Sequence, residues 1–383
     1  MLDSNIKTYN CKIQTLTPVH IGSGKTYNSS EYFDTKAKSK GEVVNIIRRI
    51  SFDKYYLNLS DERKDEFINS IADSKFKLKD FDSKINREFR RYESINRSGV
   101  IPDEIVEHLK TMDEMYVPGS SLKGAIKTAL LYQTISKEDV SNIRSLIRRD
   151  GRGIDRRSYT DFVNGFFSSN RGGRAAQYDI SKFLQISDST TLKNPQIYTL
   201  ISIMAQSDEM DGFKEYKRHQ TTVSTYLETI PNKKLLESKI STNYNSKTYR
   251  SLKMNKEKEE MIDIDNIKKA IYNFSKDFIE YEIEFLDKYS YSDLDKNIPS
   301  KIIKFYKKLN EINSLEAPIL KIGSGSGFMA TTIGIKIKQF NPQLFEEIRK
   351  LLRGKNYPYE FPKSRKIIKE KTMPLGWVRL KIE

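Results

Sequence analysis

The chain has almost none of the residues that make disulfides and structural zinc sites. Its 383 residues include one cysteine, Cys11, and three histidines, His20, His108 and His219. A single thiol excludes an internal disulfide framework and fits a reducing compartment, so a cytoplasmic protein is expected. Histidines this far apart, with one thiol, do not match the ligand spacing of a structural zinc site. No metal and no cofactor is expected. No apolar run approaches the roughly 18 residues of a membrane span. The opening MLDSNIKTYNCKIQ lacks the apolar core of a signal peptide. Tryptophan is equally scarce: Trp377 stands alone, and its expected part is that of a packing anchor.

What is present is positive charge. Sixty-seven Lys and Arg face 51 Asp and Glu, a net +16. Each cation that neutralises a phosphate releases condensed counterions, so this excess favours nucleic acid over an acidic membrane face. Hydrophobic content is 37%, but 22 Tyr and 19 Phe supply a core. Phe274, Phe278, Tyr281 and Phe285 lie at helical spacing and are expected inside. No aromatic ribonucleoprotein signature is present, so recognition by backbone and shape is expected rather than base stacking.

Alternation predicts strands over 7–16 and 43–50. From 53 to 112 the pattern reads as helical and highly charged, clearest in 61–76 and including His108. Residues 114–133 read as a short strand, a Pro-Gly turn and an amphipathic helix capped by Ser120 or Ser121. Residues 144–174 hold eight Arg, three Asp, five Gly and no Lys, which predicts a basic loop. ISKFLQIS (180–187) is a predicted strand closing a first unit. Asp179 and Asp188 beside it are expected to make joining hydrogen bonds. Beyond 190, 220–231 and 232–244 read as two strands about a turn, 244–260 as a polar loop, 263–312 as helical, and 372–382 as a closing strand.

TPVHIGSGKTYNSS (17–30) contains GSGKT, the second half of a nucleotide-binding loop. The full pattern needs a glycine at position 19, which is Val19, and an amphipathic helix downstream, which YNSSEYFD does not supply. An ATP site is therefore not expected. Gly22, Ser23 and Gly24 still let a main chain approach a ligand closely, with Lys25 beside them for a phosphate. Such a segment recurs twice. VPGSSLKGAIKTAL (117–130) carries Gly119, Ser120 and Ser121, with Lys123 and Lys127 one helical turn apart. GSGSGFMATTIGI (323–335) carries Gly323, Ser324, Gly325, Ser326 and Gly327. Three such segments on a basic protein predict one groove along a nucleic-acid backbone.

These motifs resemble a known family. TPVHIGSG is similar to the amino-terminal motif of RAMP-superfamily CRISPR proteins, and VPGSSLKGAIKTAL to their signature segment. FLQISDS (183–189), GSGSGFMATTIGI and PLGWVRL complete a set most similar to the fifth subunit of type III-A (Csm) effector complexes. These motifs span positions 17–380, so the resemblance covers the whole chain. It implies an α+β fold of two ferredoxin-like (RRM-like) modules with helical insertions, here 1–188 and 189–383. It also implies a non-catalytic subunit that caps the complex on the 3′ side of the crRNA, binds that RNA and supports its maturation. A backbone RAMP subunit is the implied protein partner, with target RNA and crRNA-trimming nucleases as further ones. His20, Gly22, Ser23, Gly24, Gly119, Ser120, Ser121, Lys123 and the 323–327 segment are the implied RNA-contacting positions. The Arg-rich 144–174 insertion matches no motif of the family.

The alternative is a metal-independent endoribonuclease that processes crRNA. Such cleavage uses a base for the 2′-hydroxyl, most often histidine. Only His20 lies beside a candidate RNA segment; its other expected role is to hold the shape of the turn. His219 falls in a basic loop.

Overall fold

The computed structural model describes residues 4–39, 41–73, 76–146, 156–169, 176–290 and 297–383. Its strands of three or more residues are β1 (Ser4–Thr15), β2 (Gly22–Asn28), β3 (Tyr32–Ser39), β4 (Glu42–Ile50), β5 (Arg90–Asn96), β6 (Glu104–His108), β7 (Leu184–Ile186), β8 (Gln196–Ala205), β9 (Phe213–Glu215), β10 (Ser224–Thr229), β11 (Leu235–Asn245), β12 (Ile319–Lys321), β13 (Ser364–Ile368) and β14 (Trp377–Ile382). Its longer helices are α1 (Asp61–Ile71), α2 (Gly119–Thr134), α3 (Arg156–Phe166), α4 (Ile264–Lys288), α5 (Asn297–Ile312), α6 (Gly334–Phe340) and α7 (Pro342–Arg353). The class is α+β.

Alternation in β1 buries Cys11 and Ile13 while Gln14 stays exposed. That strand is the centre of an antiparallel sheet ordered β12-β14-β1-β11-β7, with Ile13 opposite Leu236 on one side and Leu380 on the other. Helix α4 presents Phe274, Phe278 and Phe285 to the core at helical spacing. Tyr132 of α2 meets Phe274 edge-on at 5.0 Å and donates to Asp277 at 2.7 Å. Trp377 is fully buried between Phe278 and Tyr306, with ring centroids at 5.8 and 6.1 Å. The indole is thus a packing anchor.

A second, mixed sheet runs β2-β6-β10-β8-β5-β4-β3, with β9 and β13 also paired to β8. Both sheets draw strands from either side of residue 188. Among the described residues the chain passes between the two sheets six times, and two of these crossings, from β1 to β2 and from β10 to β11, are bonded together. Val19 and Ile230 form a β-bridge. Thr15 Oγ1 donates to Pro231 O at 2.7 Å and accepts from Lys234 N at 2.9 Å. Pro18, which has no N–H to give a ladder, sits at the first changeover, and its carbonyl accepts from Gly376 N at 2.9 Å.

Several expected elements differ. The stretch 53–112 is not helical throughout: β5 and β6 lie within it, and His108 ends a strand. Charged residues hid the alternation, and pairing of Ile46 with Ile95 and of Tyr226 with Ile105 fixes these strands from outside the segment. The basic loop 144–174 contains helix α3 over 156–166; residues 147–155 and 170–175 lie outside the described residues. The polar loop 244–260 holds two short helices, Ser246–Ser251 and Lys256–Met261, the second capped by Asn255. The strands expected about one turn near 231 are β10 and β11, but they belong to different sheets.

Candidate nucleic-acid interface

The first glycine segment opens β2 rather than forming a free turn. Gly22 pairs with His108 and Thr26 with Val106, and the register shift between them is a bulge that takes up Ser23 and Gly24. Gly24 has φ +82° with nothing near its Cβ direction, and Gly22, Gly24 and Lys25 are exposed. Among the described residues Lys25 has no ion-pair partner. Ser23 is held, donating to Glu107 at 3.3 Å and accepting from Lys25 N at 3.2 Å.

The second segment starts α2, and neither serine caps it. The Gly119 amide donates instead to Asp188 Oδ1 at 2.8 Å. Gly119 is buried, and an added Cβ would overlap the Ile186 carbonyl, so only glycine lets the helix approach β7 this closely. Asp188 therefore occupies the anion position expected there for phosphate. Ser120 is exposed and Ser121 half-buried. Lys127 is engaged by Ser181 at 3.0 Å, by Asp179 at 3.5 Å and over the Phe167 ring at 4.4 Å. Lys123 is half-buried, and burial first, then Lys127, lowers its pKa.

The third segment, between β12 and α6, meets the first. Ser324 N donates to His20 O at 2.8 Å, and Gly323, at φ +72°, packs so closely that a Cβ would collide with that carbonyl. Gly323 and Gly327 are exposed, whereas Gly325 packs on Leu375, and buried Ser326 donates to Gly323 O at 2.8 Å.

His108 joins the first segment to Tyr116, the residue just before the second. Its Nδ1 accepts from Ile21 N at 3.0 Å, so its proton sits on Nε2, which donates to Tyr116 O at 3.3 Å. The ring is fully buried, and burial, with His20 and Lys110 nearby, lowers its pKa to about 3. His20 is 3% exposed. Its Nδ1 donates to Glu228 O at 2.6 Å, which leaves Nε2 facing Gly22. Burial, the leading cause, lowers its pKa too. The glycine segments are thus bonded in series: the third to His20, and the first through His108 to Tyr116, the residue just before the second. His219 lies apart, exposed at φ +47° in a tight turn.

Sequence reasoning missed the support beneath this series. Glu228 is fully buried, accepting from Tyr27 at 2.7 Å, Ser94 at 3.3 Å and His108 N at 3.2 Å. Lys110 pairs with the same carboxylate, lies 3.7 Å from Glu107, and stacks over Tyr92 at 4.4 Å. No local pattern marks Glu228 for burial: it follows Leu227 in a strand whose last three residues are all inside. Among the described residues no three His, Cys, Asp or Glu side chains gather as a metal set would, and no helix is long and apolar enough to cross a membrane.

Residues 12–329 match the model of the RAMP superfamily. The chain belongs to that superfamily. Within it, the chain is 24% identical over 412 aligned positions to "CRISPR system Cms protein Csm5" of Methanocaldococcus jannaschii, covering 97% of this chain and 88% of that one. A second Csm5, from Enterococcus italicus, is 33% identical over 150 residues, 32% of this chain and 43% of that one. Among solved structures, a chain of a Csm–crRNA–target RNA ternary complex of a type III-A system superimposes with TM-score 0.66 at 20% identity, covering 97% of this chain and all of that one. A crystal structure of T. onnurineus Csm5 gives TM-score 0.60 at 20% identity, covering 96% and 99%.

Proposed function

We propose that this chain is the non-catalytic RNA-binding fifth subunit of a type III-A CRISPR effector complex, working in the cytoplasm. It docks on a backbone RAMP subunit at the 3′ side of the crRNA, caps the assembly there, grips the crRNA and supports its maturation. Its fold we read as ferredoxin-like modules with helical insertions. The observation that carries the reading is the hydrogen bonding of three glycine segments, distant in sequence, to one another or to the residue beside them, with Gly22, Gly24, Gly323 and Gly327 exposed. Near-full-length similarity to Csm5 proteins supports the assembly.

Exposed amides and Lys25 contact phosphate without reading bases, which suits a guide whose sequence varies. Fluorescence anisotropy with single-stranded RNA of unrelated sequences tests this. Expected is affinity that falls steeply with salt and varies little with sequence. A dissociation constant independent of salt would contradict the phosphate grip.

A further inference from the structure

Next to the third segment the chain encloses a cavity of about 430 Å³, one wall of which is Gly325, Ser326 and Gly327. That volume lies within the range of small-ligand sites. Lys321 lines it and is 7% exposed, with its ammonium 5.5 Å from the Phe278 ring and 5.9 Å from that of Trp377. Among the described residues it has no hydrogen-bond acceptor and no carboxylate partner. Its three donors therefore have only the cavity to turn to. Burial lowers its pKa to about 8, opposed by Glu282, so the charge remains at neutral pH.

Arg365 also lines the cavity. Its Nε donates to both Glu282 oxygens, at 2.9 and 2.7 Å, while its Nη2 is buried with no partner. Exposed Arg353 and Lys366 stand at the rim, so four cations surround the single carboxylate Glu282. The remaining wall is apolar and aromatic, with Phe328 and Phe361 centred 4.9 Å apart.

We propose that this cavity takes up one nucleotide unit, its phosphate toward Lys321 and Arg365 and its base against Phe328 and Phe361. A bare phosphate would leave the aromatic wall uncovered, and an apolar ligand would leave the Lys321 ammonium and Arg365 Nη2 without an acceptor. A nucleotide satisfies both. The choice of ligand class rests on the RNA-binding reading above; the cationic and aromatic walls stand on their own. The nucleotide is either free or a residue of a strand passing the glycine segments.

The test is titration of the full chain with AMP, read by the fluorescence of Trp377, the only tryptophan and a neighbour of Lys321. Expected is saturable binding, weakened about tenfold or more by Lys321→Met and less by Lys366→Gln, with inorganic phosphate about tenfold weaker than AMP. Melting curves check that the variants are folded. Should Lys321→Met not fold, Lys366→Gln and Phe328→Leu decide, and unchanged AMP affinity in both overturns the proposal. It is overturned equally by an absence of AMP binding, by equal affinity in folded Lys321→Met, or by phosphate matching AMP. Single-stranded RNA that displaces AMP identifies a strand residue as the occupant; independent binding of the two identifies a free nucleotide. Salt-sensitive RNA binding without AMP binding refutes the cavity alone, and AMP binding without RNA binding refutes the RNA reading alone.

Discussion

His108 is bonded to the first segment and to the residue just before the second, and its chemistry makes a pH prediction. Its folded pKa of about 3 lies below the ordinary 6.5. Between these values the unfolded chain binds a proton that the folded chain refuses. Stability therefore falls as pH drops below 6.5, by about 1.4 kcal/mol per unit from this group alone. His20 is shifted the same way and adds to the slope. Melting temperature followed from pH 7.5 to about 4 checks this: a clear decline is expected, shallower in His108→Gln, and a flat profile would refute the buried neutral ring. The glycines differ among themselves in a way that thermal denaturation can read. Gly323→Ala meets both a positive φ and the His20 carbonyl, and is expected to cost roughly 3 kcal/mol or more. Gly24→Ala meets only the φ, and about 1–2 kcal/mol is expected. His20 also carries the alternative chemistry. We expect no cleavage of labelled repeat RNA by the purified chain in EDTA; cleavage that disappears in His20→Ala would establish the nuclease instead.

At the scale of elements, helix α4 is fixed to strand β13 by the buried Glu282–Arg365 pair, backed by Tyr306 at 3.4 Å. Removing one partner leaves the other charge stranded, so Glu282→Ala is expected to cost about 3–5 kcal/mol in denaturant unfolding, and Glu282→Leu with Arg365→Met much less. Equal losses in both variants would refute that account. What was legible in the sequence follows from the range of the forces involved. Helix α4 and strand β1 carry their own periodicity and were readable locally. Strands β5 and β6 were not, because RRYESIN and EIVEH look charged until partner strands on both sides are supplied. The α2 cap was misread for the same reason: Ser120 and Ser121 are local, but Asp188, which holds the Gly119 amide, arrives with β7. The glycine motifs were readable as motifs. That Gly323 would rest on His20, or that Glu228 and Lys110 would lie beneath both histidines, depends on long-range pairing that no window of residues contains.

For the whole molecule, the proposed RNA grip rests on the net +16 and the bonded glycine segments. Each phosphate neutralised should contribute about 0.7 to the slope of log affinity against log salt for a single strand. The most direct measurement of the central claim is photo-cross-linking of 4-thiouridine-substituted crRNA within the assembled complex, mapped to peptides of this chain. The account predicts cross-links in 20–25, 119–127 and 323–327, with the RNA left uncut. Cross-links confined to other parts of the surface, in a complex that assembles normally, would contradict it.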